Sequence, residues 1–217
     1  MTEIADAGPA DAADAADAAG TEALRRGRPG YDQRGILEVA VAAFNEHGYD
    51  ATSIGMLADR LGLSKSAIYH HVASKEELLR LALDEALDGL EGVLLAPEAT
   101  TGAAADRLAF VLRGAVRVLA DRLPYVTLLL RVRGNSDLER KMLRRRRRLD
   151  ALVADLVKEA VGDGDLRPDI DPAVTARLMF GMVNSLTEWL KPGKNHDDSA
   201  LADAVAAIVF DGLLVHR

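Results

Sequence analysis

Five arginines in a row, Arg144 to Arg148, form the densest block of charge in this sequence. Guanidinium groups bind carboxylates and phosphates through a fork of N–H donors. Successive helical residues turn by about 100°, so five of them sweep the whole circumference and at least one faces inward. The apolar stripe Leu138, Met142, Leu149, Leu152 and Leu156 has its gap at Arg145, with Arg146 beside it on the Leu149/Val153 side. A guanidinium there needs an acidic partner or an anionic ligand, because an unpaired buried charge is costly. Both solutions stand: a structural salt bridge, or Arg145 or Arg146 against a cavity that prefers an anion.

Other reactive side chains are less productive. His70 and His71 are adjacent, diverge by about 100° on a helix, and cannot both face one metal ion. Asp163, Asp165, Asp169 and Asp171 crowd one stretch, but not with the spacing of a calcium loop. The chain has no cysteine, which removes disulfides, thiolate metal sites and cysteine nucleophiles together. It carries no dinucleotide fingerprint, phosphate loop, nucleophile elbow or metal-binding His-x-x-x-His helix. We therefore expect no catalytic residue, no metal and no cofactor.

The stretch Thr52 to Lys75, TSIGMLADRLGLSKSAIYHHVASK, points elsewhere. Ile54, Leu57, Ala58 and Leu61 are spaced as one helical face, and Gly62 ends the helix. A second short helix follows from Ser64 to about Val72. Two short helices joined by a glycine-containing turn make a helix-turn-helix. Leu63 and Ile68 complete the apolar lock, which leaves Lys65, Ser66, Tyr69 and His70 on the outer face. Such a helix enters a major groove by its N-terminal end. Thr52 and Ser53 stand at the other helix's N-terminus, where backbone N–H groups attract a phosphate, and Lys75 is placed to hold a second one.

These residues need a scaffold, and the periodicity supplies an all-α one. Helices are predicted over about 33–47, 53–61, 64–72, 75–95, 102–121, 124–132, 137–161, 172–190 and 199–214. Ser74 with Glu77 and Ser136 with Glu139 are capping boxes. Asp171 before Pro172 is an N-cap and first-position pair. No alternating strand pattern competes.

The pattern F-x-x-x-G, T-[TS]-x-x-x-[LI]-A-x-x-x-G-[VL]-S, Y-x-H-[FV]-x-[SN]-K-x-x-L, here Phe44, Gly48, Thr52, Ser53, Leu57, Ala58, Gly62, Leu63, Ser64, Tyr69, His71, Val72, Ser74, Lys75 and Leu78, resembles the TetR family of bacterial regulators. The resemblance covers about residues 33–80. It implies a three-helix DNA-binding domain, a helical ligand-binding and dimerisation domain, and a homodimer on a palindromic operator. It also implies that Lys65, Ser66, Ala67, Tyr69 and His70 face DNA, while Thr52 and Lys75 contact phosphates; Ser53 and Ser64 join this set. Ahead of them, RRGRPG resembles the extended Arg-Gly-Arg-Pro core of minor-groove arms, which would add Arg28; an ordinary basic linker is the alternative. Residues 164–194 resemble the C-terminal part of TetR-type regulators of lipid, steroid and aromatic-acid breakdown, many of them acyl-CoA-responsive. There N-x-x-x-x-W-Y-[RK]-P-G-G maps to Asn184, Trp189, Lys191, Pro192 and Gly193, whereas Leu190 and Lys194 depart from it. Asn184 and Trp189 thus join Arg145 and Arg146 as candidate ligand residues.

Charge distribution agrees with a DNA partner better than net charge does. The chain totals −7, but its first 22 residues hold six acids, and from Arg25 to Lys75 seven basic residues outnumber five acids. A non-specific nucleoid-type protein would be basic throughout, and an enzyme would show one of the missing motifs. We expect an Ala/Asp-rich tail with a basic arm over 1–30, a DNA-binding domain over 31–78 and a sensing and dimerisation domain over 79–217. No apolar run is long enough to span a membrane and no signal-peptide pattern opens the chain, so the expected location is the cytoplasm.

Overall fold

The computed structural model describes residues 32–191 and 197–211. Arg28 and the basic arm lie outside the described residues, as do Pro192 to Lys194. Among the described residues there are ten α-helices and no strand: α1 Gln33–His47, α2 Ile54–Leu61, α3 Lys65–His71, α4 Lys75–Leu94, α5 Pro97–Thr100, α6 Ala104–Asp121, α7 Leu123–Arg131, α8 Asp137–Gly162, α9 Pro172–Ser185 and α10 Asp198–Phe210. A 3₁₀ turn, Leu186–Glu188, extends α9.

Most helices begin where a side chain can satisfy the orphan N–H groups of a first turn. Asp32, Ser53, Ser64, Ser74, Ser136, Asp171 and Asp197 each accept from a backbone N–H two or three residues on. The Glu139 carboxylate reaches back past Ser136 to the turn before its helix. It accepts N–H groups of Arg133, Gly134 and Asn135, which explains how an acid is buried there. Gly62 sits at φ 64°, and Leu63 N–H reaches the Ala58 carbonyl at 3.0 Å. A side chain at that left-handed turn would be strained, so the sharp angle between α2 and α3 depends on glycine.

The N-terminal core is built from Ile36, Val41 and Phe44 of α1, Leu57 and Leu61 of α2 and Ile68 of α3, closed by Leu78 and Leu79 of α4. Behind it, α6 is the axis: it packs against α4, α5, α7, α8, α9 and α10. The α6 residue Gly114 allows the closest approach, since a methyl there would run into Val93 of α4.

Two predicted boundaries move. Residues 97–100 form a separate short helix, because Pro97 can open a helix but not continue one. The 172–190 helix tightens into the 3₁₀ turn after Ser185. Within α8, Leu152 is exposed and Val153 takes the inward place expected of it.

Candidate nucleic-acid interface and ligand cleft

α3 presents its polar face outward. Lys65, Ser66, Tyr69 and His70 are exposed, Tyr69 to 52%, while Ile68 between them is buried and fixes the helix on α2. Ala67 is half-buried. His71 is exposed too, and its carbonyl accepts from Gln33 Nε2 at 3.3 Å. Ser53 and Ser64 cap α2 and α3, so their hydroxyl oxygens already face the exposed first-turn N–H groups. Gly55 is a contributor that the motif did not flag. A methyl there would stand 3.1 Å from Lys65 Cε, so the missing side chain leaves the path along which Lys65 lies over the start of α2.

Two residues expected at phosphates are occupied otherwise. Thr52 is 1% exposed; its hydroxyl donates to the Gly48 carbonyl at 2.8 Å, with the Ala43 carbonyl at 3.3 Å. The Lys75 ammonium donates to the carbonyls of Tyr49 and Thr52, both at 2.9 Å, and stands 4.2 Å from the Tyr49 ring centroid. Both side chains tie the α1–α2 connection down: the Gly48 carbonyl depends on the Thr52 hydroxyl, while the Tyr49 carbonyl also accepts from Thr52 N–H at 3.2 Å. Thr52→Val should therefore destabilise the protein by about 1–2 kcal/mol, by stranding a buried carbonyl, which a urea titration of the purified protein will read.

The arginine run divides by direction. Arg145, with 18% of its side chain exposed, reaches α4 and binds Asp84 at 3.0 Å, Glu91 at 2.5 Å, and Asp88. Its hydrogen bonds hold the Glu91 carboxyl below the usual carboxylate range, and the guanidinium's own pKa is raised further. Arg145 is thus the salt-bridge solution, with three acids on one helix.

Arg146 lies on the other side, where it lines a narrow apolar cleft. Leu90, Val93 and Leu94 of α4, Val126, Leu129 and Leu130 of α7, and Phe180 and Asn184 of α9 contribute to its walls. An open groove between α8 and α9, lined by charged and small residues, adjoins it and shares Arg146, Asp150, Phe180 and Asn184. Arg147 and Arg177 line the groove as well, with Asp155 as a second acid beside them. None of these three arginines has a salt bridge to a described residue. Asp150, exposed along its flank, has its pKa raised by partial desolvation of the carboxyl, against the pull of Arg146 and Arg177. Trp189 does not reach the cleft. The 3₁₀ turn leaves it 53% exposed and turns Leu190 inward instead. Among the described residues no three His, Asp or Glu side chains are grouped to hold a metal, and no helix is long and apolar enough to cross a membrane.

Residues 36–82 match the model of the bacterial regulatory proteins, tetR family, and residues 101–213 match that of the tetracyclin repressor-like C-terminal domain. This chain belongs to the TetR family. Its helix-turn-helix is accordingly that of a DNA-binding transcriptional regulator. Among TetR-family structures, SCO3833 from Streptomyces coelicolor A3 is 50% identical, over 83% of this chain and 91% of that one, with a TM-score of 0.79. The HTH-type transcriptional repressor KstR2 of Mycolicibacterium smegmatis is 25% identical over 181 residues, 82% of this chain and 88% of the repressor. AibR, solved in complex with isovaleryl coenzyme A and operator DNA, is 25% identical over 82% of this chain and 97% of that chain, with a TM-score of 0.69.

Proposed function

We propose that this TetR-family regulator is a homodimeric repressor released from a palindromic operator by an acyl-CoA thioester. The observation that carries the effector class is the pairing of an apolar cleft with a groove holding three arginines free of ion pairs. An acyl chain is an apolar body, and coenzyme A is a polyanion carried on a long polar arm. Apolar surface gains from burial at about 25 cal/mol per Å², while phosphates are recognised by guanidinium forks. One ligand that satisfies both spaces at once has this composition, and an acyl-CoA is what AibR holds.

Two walls of the cleft touch the DNA-binding helices, which gives the effector a route to them. α4 contributes Leu90, Val93 and Leu94 at one end, and Lys75, Leu78 and Leu79 beneath α1–α3 at the other. α7 contributes Val126, Leu129 and Leu130 to the cleft and packs against α1. At that contact Asn45 Nδ2 donates to the Pro124 carbonyl at 2.8 Å, and Arg131 donates to the Asn45 carbonyl. An effector that separates α4 from α7 changes where α3 stands. It acts only so far as it binds that arrangement better than the DNA-bound one.

Dimerisation follows from two recognition helices having to reach half-sites about one DNA turn apart. α9 and α10 carry Ala173, Ala176, Leu178 and Met179, and Ala204, Ala207 and Ile208, as small or apolar candidates for this face. Ala176 and Met179 are buried inside the chain. Leu178 and Ile208, with Val174, Ala173, Ala204 and Ala207, are exposed and make the apolar surface we assign to the partner copy.

Fluorescence anisotropy on a palindrome from the protein's own promoter region tests the reading. Octanoyl-CoA or isovaleryl-CoA should release the DNA, and Arg146→Met should raise the concentration needed by about tenfold while leaving DNA affinity unchanged. Release by neither thioester, or equal release of the variant, would discard the effector assignment.

A further inference from the structure

An anion receptor has no need of a carboxylate, yet one stands where the cleft and the groove meet. Asp150 lines both spaces together with Arg146, Phe180 and Asn184. Arg146 lies one helical turn before it on α8, and Arg177 faces the same groove from α9. Neither makes an ion pair with it; both act on it through space. The carboxyl is exposed to solvent on one side, and the two guanidiniums favour its charged form against the desolvation that raises its pKa.

We propose that Asp150 is a selectivity residue, which makes this site accept an acyl thioester and reject the corresponding free acid. This rests on the acyl-CoA reading above. When an acyl chain fills the apolar cleft, its carbonyl carbon comes to the shared rim. In a free acid that carbon bears a full negative charge beside Asp150, in surroundings where water is partly excluded. Like charges repel there more strongly than in bulk solvent. In a thioester the same carbon is neutral. Its negative charges lie many bonds away, on phosphates that reach the groove where Arg147 and Arg177 stand. The amide N–H groups of the pantetheine arm are donors, which a carboxylate at the rim accepts.

Arg146 alone would capture any fatty carboxylate that entered. Asp150 offsets that attraction at the rim without weakening the outer groove, so the pair reads the activated acid against its unactivated precursor. Specificity of this kind comes from a repulsive element as much as from an attractive one.

Isothermal titration of the full-length protein with octanoyl-CoA and octanoate, and with isovaleryl-CoA and isovalerate, provides the test. The parent protein should prefer each thioester. Asp150→Asn should bind the free acids about tenfold more tightly, the expected size of one screened like-charge contact, with thioester affinity changed less than threefold. Asp150→Glu, which keeps the charge, should retain the preference. Thioester binding with an unchanged ratio in Asp150→Asn overturns this role and leaves the effector class standing. A parent protein that binds the free acids as tightly as the thioesters overturns this role alone; one that binds none of the four overturns both.

Discussion

Arg145→Met is expected to lower the unfolding free energy by about 2–3 kcal/mol, or the melting temperature by about 4–10 °C at fixed protein concentration. The methionine keeps the aliphatic stem, so the loss is electrostatic. Three carboxylates on successive turns of α4, Asp84, Asp88 and Glu91, lose their shared cation. Asp84 retains Arg80 at 2.9 Å, but Asp88 and Glu91 are left to repel one another. The figure sits below that for a fully buried pair, because Asp88 is well exposed and water screens it. The pH dependence has a definite sign. Arg145 depresses the Glu91 pKa in the folded state, so this contribution is complete above the unfolded value, near 4.3, and is lost as pH falls through the lower folded value. Thermal melts from pH 7 to pH 3 should therefore show the parent losing its advantage over Arg145→Met in acid. Equal melting temperatures at pH 7 would mean that the clasp contributes nothing.

The same residue shows how far the sequence could be read. The break in the α8 stripe placed a charge at Arg145 and Arg146, because a period of 3.6 fixes which positions face inward. It could not divide the two, since direction depends on what α4 and α9 bring up to them from tens of residues away. α4 brings acids to Arg145, and α9 brings Asn184 and an open groove to Arg146. Local signals were legible for a physical reason: N-caps, Gly62 and the apolar faces of α1 to α4 depend on neighbours within a turn or two. Thr52 and Lys75 were harder. Their motif positions are unmistakable, but only the folded α1–α2 connection shows backbone carbonyls waiting for both side chains. Trp189 came from a motif match, which carries no direction for the side chain; the 3₁₀ turn before it leaves it exposed. Asp150 carried no signal at all, being one acid beside a run of arginines.

Tyr69→Ala is expected to weaken operator binding by about 10- to 100-fold, within the range for a lost contact to a base. Its melting temperature should stay within about 1 °C of the parent. Tyr69 is more than half exposed and makes no hydrogen bond to a described residue, so the fold has little to lose. The neighbouring Ile68, wholly buried, carries the packing of α3. Lys65→Ala serves as the contrast. A cation near the backbone acts on phosphates whatever the sequence, so its loss should weaken operator and random DNA alike and reduce the salt slope by about one. Tyr69→Ala should instead leave the salt slope unchanged and erode the ratio of operator to random binding, because base contacts specify where phosphate contacts only position. Anisotropy titrations of both variants at several salt concentrations separate the two roles. A Tyr69→Ala protein with full operator preference would remove this tyrosine from the interface and hand recognition to Ser66, Ala67 and His70, the other side chains that α3 carries toward the groove.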